Sequence, residues 1–117
     1  MSQLTITHRD AATGPVLEIV GDLDYASAPD LRQVIDTLVL TDEHLLILDL
    51  AGLEYCDSSG LTALLAARNL ATEHGARIAL TAVLDNTARI LSLTGLDQVL
   101  TTYPDTSTAT TLRPASP

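Results

Sequence analysis

The residues best placed to do chemistry are Asp57-Ser58-Ser59-Gly60-Leu61, an acid and two hydroxyls that closely follow an aliphatic run. The first N–H groups of a helix have no partner inside the helix and attract negative charge. If a helix starts here, Asp57 or Ser58 caps it. A phosphate ester on a hydroxyl at that point meets a helix end that tolerates it. The plain alternative is that both hydroxyls serve only as caps. Asp22 and Asp24 form a second acidic pair after an earlier strand. In a mostly parallel sheet the loops at strand carboxyl ends gather on one edge, where sites form. That places the pair near Ser58; the alternative is two solvated turn aspartates.

Other chemistries find little support. Cys56 is the only cysteine, so no internal disulfide forms, and it is read as packed rather than reactive. His8, His44 and His74 share no metal-ligand spacing, and no metal is expected. Ser58 or Ser59 as a hydrolytic nucleophile would need a base and an orienting acid. No histidine has a recognisable placement for that role, and the G-x-S-x-G elbow is absent. A phosphoacceptor receiver, with Asp49 or Asp57 as acceptor, would need a lysine near the end. The chain has none, because its six cations are all arginine. A binding protein without cofactor, and not an enzyme, is expected.

The elements that must carry these residues follow from periodicity. Leu4-Thr5-Ile6-Thr7 alternates as a half-buried strand. Ala12-Thr13-Gly14-Pro15 is a turn, and residues 16–20 form the second strand of an antiparallel pair. Ser27 caps a helix with Pro29 in its first turn, carrying Leu31, Val34, Ile35 and Leu38. Leu45-Leu46-Ile47-Leu48 suits a central strand covered on both faces. A helix over residues 60–74 buries Leu61, Leu64, Ala67 and Ala71, and Gly75 stops it. Residues 77–81 are a strand. Asn86 caps a short helix with Ile90 and Leu91 that ends at Gly95. Residues 99–101 are a last short strand. The order β-β-α-β-α-β-α-β implies an α/β fold with a mixed, mostly parallel sheet, an N-terminal antiparallel hairpin and packed helices.

Composition bounds the class. A chain of 117 residues with 46% hydrophobic residues is one globular domain. With no Trp, no Phe and three Tyr, the core is aliphatic. The formal charge of −9 and the scarcity of aromatic platforms exclude nucleic acid and an anionic membrane surface as partners. The acidity favours a partner with a basic face. No window reaches the roughly 18 apolar residues of a membrane helix. The start lacks the basic flank and apolar run of a signal peptide, so a cytoplasmic location is expected. One domain over residues 1–103 is expected. Residues 104–117 are a Thr/Ser/Pro-rich tail, partly disordered, with poor propensity for more than a last helical turn.

Three stretches together resemble one known family. Gly21-Asp22-Leu23-Asp24 is similar to its G-E-L-D turn after the second strand. Leu48-Asp49-Leu50 through Tyr55-Cys56-Asp57-Ser58-Ser59-Gly60-Leu61 is similar to its strand, turn and phosphosite signature. Leu93-Thr94-Gly95-Leu96 is similar to its S-G-L segment. On these the chain is identified as a member of the anti-sigma factor antagonists, of the STAS domain class. The resemblance implies an anti-sigma factor serine kinase as partner, whose binding releases the sigma factor. It implies that the kinase phosphorylates the first serine of D-S-[ST]-G, here Ser58, and that a metal-dependent serine phosphatase resets the switch. Asp22, Asp24, Asp57, Ser58, Ser59, Gly60 and Thr62 are then the partner-binding residues. Thr62 stands where the family often has Gly, which bears on specificity. The Thr-rich tail replaces the family's C-terminal helix and puts that element in doubt. The same fold could instead serve as a scaffold or regulatory subunit of a stress-signalling or transporter complex.

Overall fold

The computed structural model describes residues 4–110. Strands β1 (Leu4–Ala11) and β2 (Gly14–Leu23) form the antiparallel hairpin, joined by a tight turn at Ala12-Thr13. Helix α1 (Ala28–Asp36) leads to β3 (Leu45–Cys56), α2 (Ser58–Glu73), β4 (Arg77–Thr81), α3 (Asp85–Thr94), a 3-10 turn (Leu96–Gln98), β5 (Thr101–Tyr103) and α4 (Thr106–Thr110). The sheet order is β1-β2-β3-β4-β5, parallel from β2 onward. The mixed α/β architecture with its antiparallel start is the one expected.

Alternation along the strands divides the interior in two. Leu46, Leu48 and Leu50 face the side covered by α1, α2 and α3, where Leu31, Ile35, Leu64, Ala67 and Leu91 meet them. Leu45 and Ile47 face the other side, with Val16, Ala79 and Ala109. Leu46, Leu48 and Leu64 are fully buried and Leu61 nearly so, as the aliphatic strand and helix stripe predict. A fully buried aliphatic side chain contributes roughly 1.5–3 kcal/mol, and the buried hydrophobic residues of this core include no aromatic one.

Several boundaries differ from the sequence reading. Strand β2 continues through Leu23 and β3 through Cys56, carried past Val20 and Leu50 by register shifts in their pairing. Asp22 therefore lies within β2, and only Asp24 follows it. Ser27 stands at the N-cap of α1 but makes no side-chain cap. Its hydroxyl donates instead to the Asp22 carbonyl at 2.7 Å. Helix α2 begins at Ser58, two residues earlier than expected, because Asp57 supplies the cap. Asn86 is not a cap: α3 starts at Asp85 after Leu84, which has no capping group. The last strand is shifted to Thr101–Tyr103, since residues 96–98 are taken by the 3-10 turn and Leu100 is buried behind it.

The Thr-rich segment after Pro104 forms α4, against the doubt raised by its composition. Two side-chain features outweigh its poor propensity. Ala109 is fully buried in the second cluster. The Thr106 hydroxyl donates to Asp49 Oδ2 at 3.1 Å and lies 2.9 Å from the Thr81 hydroxyl. The expected mobility of the final residues falls outside the described residues.

Candidate functional site

The carboxyl edge of the sheet brings two connections together. Pairing sets Asp22 beside Tyr55 and Leu23 beside Cys56. The Asp57 N–H then donates to the Leu23 carbonyl at 3.3 Å, which ties the start of α2 to the end of β2. The β2–α1 turn and the first turn of α2 are thus neighbours, as the argument from strand ends expects.

The first turn of α2 is held from inside and from below. The Asp57 carboxylate accepts the Gly60 N–H at 2.9 Å, an N-cap on an extended backbone (φ −96, ψ −169). The Thr62 hydroxyl donates to the Ser58 carbonyl at 3.0 Å. Gly60 is needed for close approach: a Cβ there would collide with the Leu23 carbonyl oxygen and lie 2.7 Å from Cys56 Sγ. Against this fixed turn Ser58 is exposed, Ser59 is half-buried and Thr62 is exposed. Ser58 is the first helical residue, where backbone N–H groups and the helix dipole favour negative charge.

The acids differ in availability. Asp24 folds back on its own turn, accepting the N–H groups of Ala26 at 3.0 Å and Ser27 at 3.1 Å. It is a turn-forming residue whose charge stays at the edge. Asp22 is half-buried in the strand. Cys56 is a free, buried thiol, pushed up to about 11 by burial and then by the neighbouring Asp57 charge. It is packed, as read from sequence, and holds its proton at neutral pH.

Two residues at this edge escaped the sequence reading. Tyr25, in the β2–α1 turn, is 83% exposed, and Tyr55, in β3, is 55% exposed. A tyrosine between Asp24 and Ala26 at a turn, outside any core periodicity, was the available signal. Tyr25 heads a trough of about 410 Å³ between α1 and α2. One wall is Tyr25, Ala28, Pro29 and Arg32; the other is Ser59, Thr62, Ala63 and Ala66. Thr62 lies in this wall, one helical turn from Ser58.

The remaining histidines form no second centre. His8 and His44 line a cleft at the opposite, amino edge of the sheet. Among the described residues no group of three or more His, Cys, Asp or Glu is placed to hold a metal. Among the same residues no helix is long and apolar enough to cross a membrane.

This edge carries an exposed serine at a capped helix start, with an acidic turn beside it, on a small mixed α/β fold. The STAS domain model matches residues 3–109, and the chain belongs to the STAS domain family. An anti-sigma factor antagonist from Mycobacterium paratuberculosis is 28% identical, with a TM-score of 0.78 over 93% of this chain and 92% of that one. A sulfate transporter family protein from Wolinella succinogenes shares the fold at 22% identity and TM-score 0.70, over 82% of this chain and 80% of that one. So does the phosphorylated form of the Bacillus cell fate determinant SpoIIAA, at 19% identity and TM-score 0.64, over 97% of this chain and all of that one.

Proposed function

We propose that this chain is an anti-sigma factor antagonist. It binds an anti-sigma factor serine kinase in the cytoplasm, releases the sigma factor, and is switched off by phosphorylation of Ser58. A metal-dependent serine phosphatase restores it. The observation that carries the reading is the exposed Ser58 at the first position of a capped helix start. Structural relatives named as anti-sigma factor antagonists, and one captured in a phosphorylated form, support it. The partner surface comprises Asp22, Asp24, Asp57, Ser58, Ser59 and Thr62; Gly60, expected among them, is buried against Leu23 and Cys56 and serves by letting the turn sit there. The accessible serine at this place favours a switched antagonist over a scaffold or transporter subunit.

The switch works through the interface rather than the fold. A phosphate adds about −1.5 to −2 charges at neutral pH. It joins the charge of Asp57, while the helix dipole offsets part of the repulsion, typically by about 0.3–1 kcal/mol. The free domain therefore keeps its structure. In the complex a dianion would be buried against a surface shaped for a hydroxyl, which is costly. A hundredfold loss of affinity needs only about 2.8 kcal/mol.

The test pairs calorimetric binding to the purified anti-sigma kinase with circular dichroism of both phosphoforms. Ser58→Ala should bind and resist inactivation, and Ser58→Asp should bind poorly. Equal affinities would defeat the switch. A collapsed spectrum for the phosphoform would defeat the claim that the fold is spared.

A further inference from the structure

The amino edge of the sheet carries a cleft of its own. Arg77 opens β4 and Thr101 opens β5, but the two strands pair only from Ala79 onward. Beside Arg77 and Ile78 the sheet therefore has no strand on that side, and a cleft of about 350 Å³ occupies the gap. Arg68 lines it from α2, Arg77 and Ile78 from β4, Val99 from the segment before β5, and Thr101 and Tyr103 from β5. The size is that of a small-molecule site. Ten residues of α2 separate Arg68 from Ser58, about 15 Å along the helix axis, so the cleft is separate from the Ser58 turn.

Its charge runs against that of the rest of the chain. The sequence holds fifteen acids and six arginines, yet two arginines and no acid line this cleft. Among the described residues Arg9 alone is paired with a carboxylate, that of Glu18 at 3.1 Å. Arg68 is half-buried, and its Nη1 makes one long hydrogen bond, to Asn69 Oδ1 at 3.5 Å. Burying part of a guanidinium without an anion beside it is costly. Arg77 is exposed and has no side-chain partner among the described residues. Apolar residues complete the wall: Ile78 is buried, Val99 is 41% exposed and Tyr103 is half-buried.

We propose that this cleft binds a small phosphate monoester carried on an apolar body. Its two permanent cations match the charge of such an ester, about −1.5 to −2 at neutral pH, better than they match a single carboxylate. Guanidinium groups present paired N–H donors in the geometry that phosphate oxygens accept. The Thr101 hydroxyl, without a partner among the described residues, is available as a further donor. Ile78, Val99 and Tyr103 cover the apolar part of the ligand. One pair of arginines in a chain of net charge −9 does not hold an extended polyanion, so the ligand is a small molecule rather than a nucleic acid. The inference does not rest on the proposed function.

The probe is phenyl phosphate, titrated into the nitrogen-labelled full chain and followed by backbone amide chemical shifts. Saturable shifts should appear at residues 76–78 and 99–103, with a millimolar dissociation constant. Arg68→Gln and Arg77→Gln should each weaken binding about tenfold, and added salt should weaken it further. Phenylacetate, with one charge on a similar body, should bind about fivefold more weakly or worse, and phenol should leave the shifts unchanged. Arg89→Gln, at an exposed position on α3, should match the native chain, as should Ser58→Ala. Thermal melts check that each variant keeps its fold; Arg77→Gln changes an exposed residue and carries the test if Arg68→Gln does not fold. No saturable shift at the cleft, or native affinity in the Gln variants that fold, would overturn the site. Equal affinity for phenylacetate would overturn the choice of phosphate. Neither result touches the Ser58 switch, which is read from binding to the kinase.

Discussion

Adding a single methyl group at Gly60 tests the link between sequence and site most directly. In Gly60→Ala the new Cβ would press on the Leu23 carbonyl oxygen and stand 2.7 Å from Cys56 Sγ and 3.1 Å from Leu23 Cγ. The first of these is backbone within the sheet and cannot turn aside. It also accepts the Asp57 N–H. The helix start must therefore lift off the sheet, and the Asp57 cap on Gly60, 2.9 Å in the native chain, lengthens with it. Overpacking of this kind costs about 1–3 kcal/mol, and weakening an N-cap typically adds about 1 kcal/mol. The higher helix propensity of Ala returns roughly 0.8–1 kcal/mol in a helix interior, and less in a first turn. The clash wins, with an expected net loss of about 2 kcal/mol. For a domain of this size that lowers Tm by roughly 8–12 °C. Urea and thermal unfolding followed by circular dichroism measure it. A variant as stable as the native chain, or more stable, would show that α2 does not rest on Leu23.

Leu64→Ala should cost about 2–5 kcal/mol in chemical denaturation, since it empties a fully buried position between α2 and the sheet; a loss below about 0.5 kcal/mol would mean the core face is misplaced. Asp57→Ala should remove about 0.5–2 kcal/mol by deleting the α2 cap, and Asp57→Ser should recover most of it. Thr106→Val should cost about 1–3 kcal/mol by leaving Asp49 and Thr81 without that hydroxyl, and hydrogen exchange in α4 should accelerate more than in α2. The Cys56 thiol, pushed up to about 11, should resist alkylation at pH 8 in the folded chain and react once unfolded. Because the unfolded thiol loses its proton first, stability should fall as pH rises from about 9 to about 11; rapid native-state alkylation at pH 8 would show the thiol to be accessible.

The fold was legible where each local signal had one consequence. The run Leu45-Leu46-Ile47-Leu48 suits a strand covered on both faces and is one, and Gly75, a natural helix stop, takes φ +76 just after α2. Asp57 before two serines pointed to a cap, and it is one. Legibility failed where a side chain had two uses. The Ser27 hydroxyl suited a cap but found the Asp22 carbonyl. The Asn86 side chain suited a cap, yet α3 begins two residues earlier than that cap implies, from an extended Leu84. Single-residue register shifts carried β2 and β3 further than alternation alone can indicate. Helix α4 depends on one buried alanine and on a hydroxyl that meets Asp49 from a distant part of the chain, which no local propensity encodes. At the site, the polar residues were visible in sequence. The α1–α2 trough was not, because it arises from the packing of two helices, and Tyr25 was marked only by its place in a turn.

The first turn of α2 is clamped by the Asp57 cap, the contact beneath Gly60 and the Thr62 hydroxyl. On the proposed reading, the marked and unmarked chains therefore share one backbone, and no slow rearrangement separates them. Such a domain has no clock of its own. Uncatalysed hydrolysis of phosphate monoesters is among the slowest of biological reactions, so a mark on Ser58 lasts until an enzyme removes it. The protein then behaves as a passive memory element: its rigidity preserves the stored state, and the timing of writing and erasure belongs wholly to the active sites of other proteins.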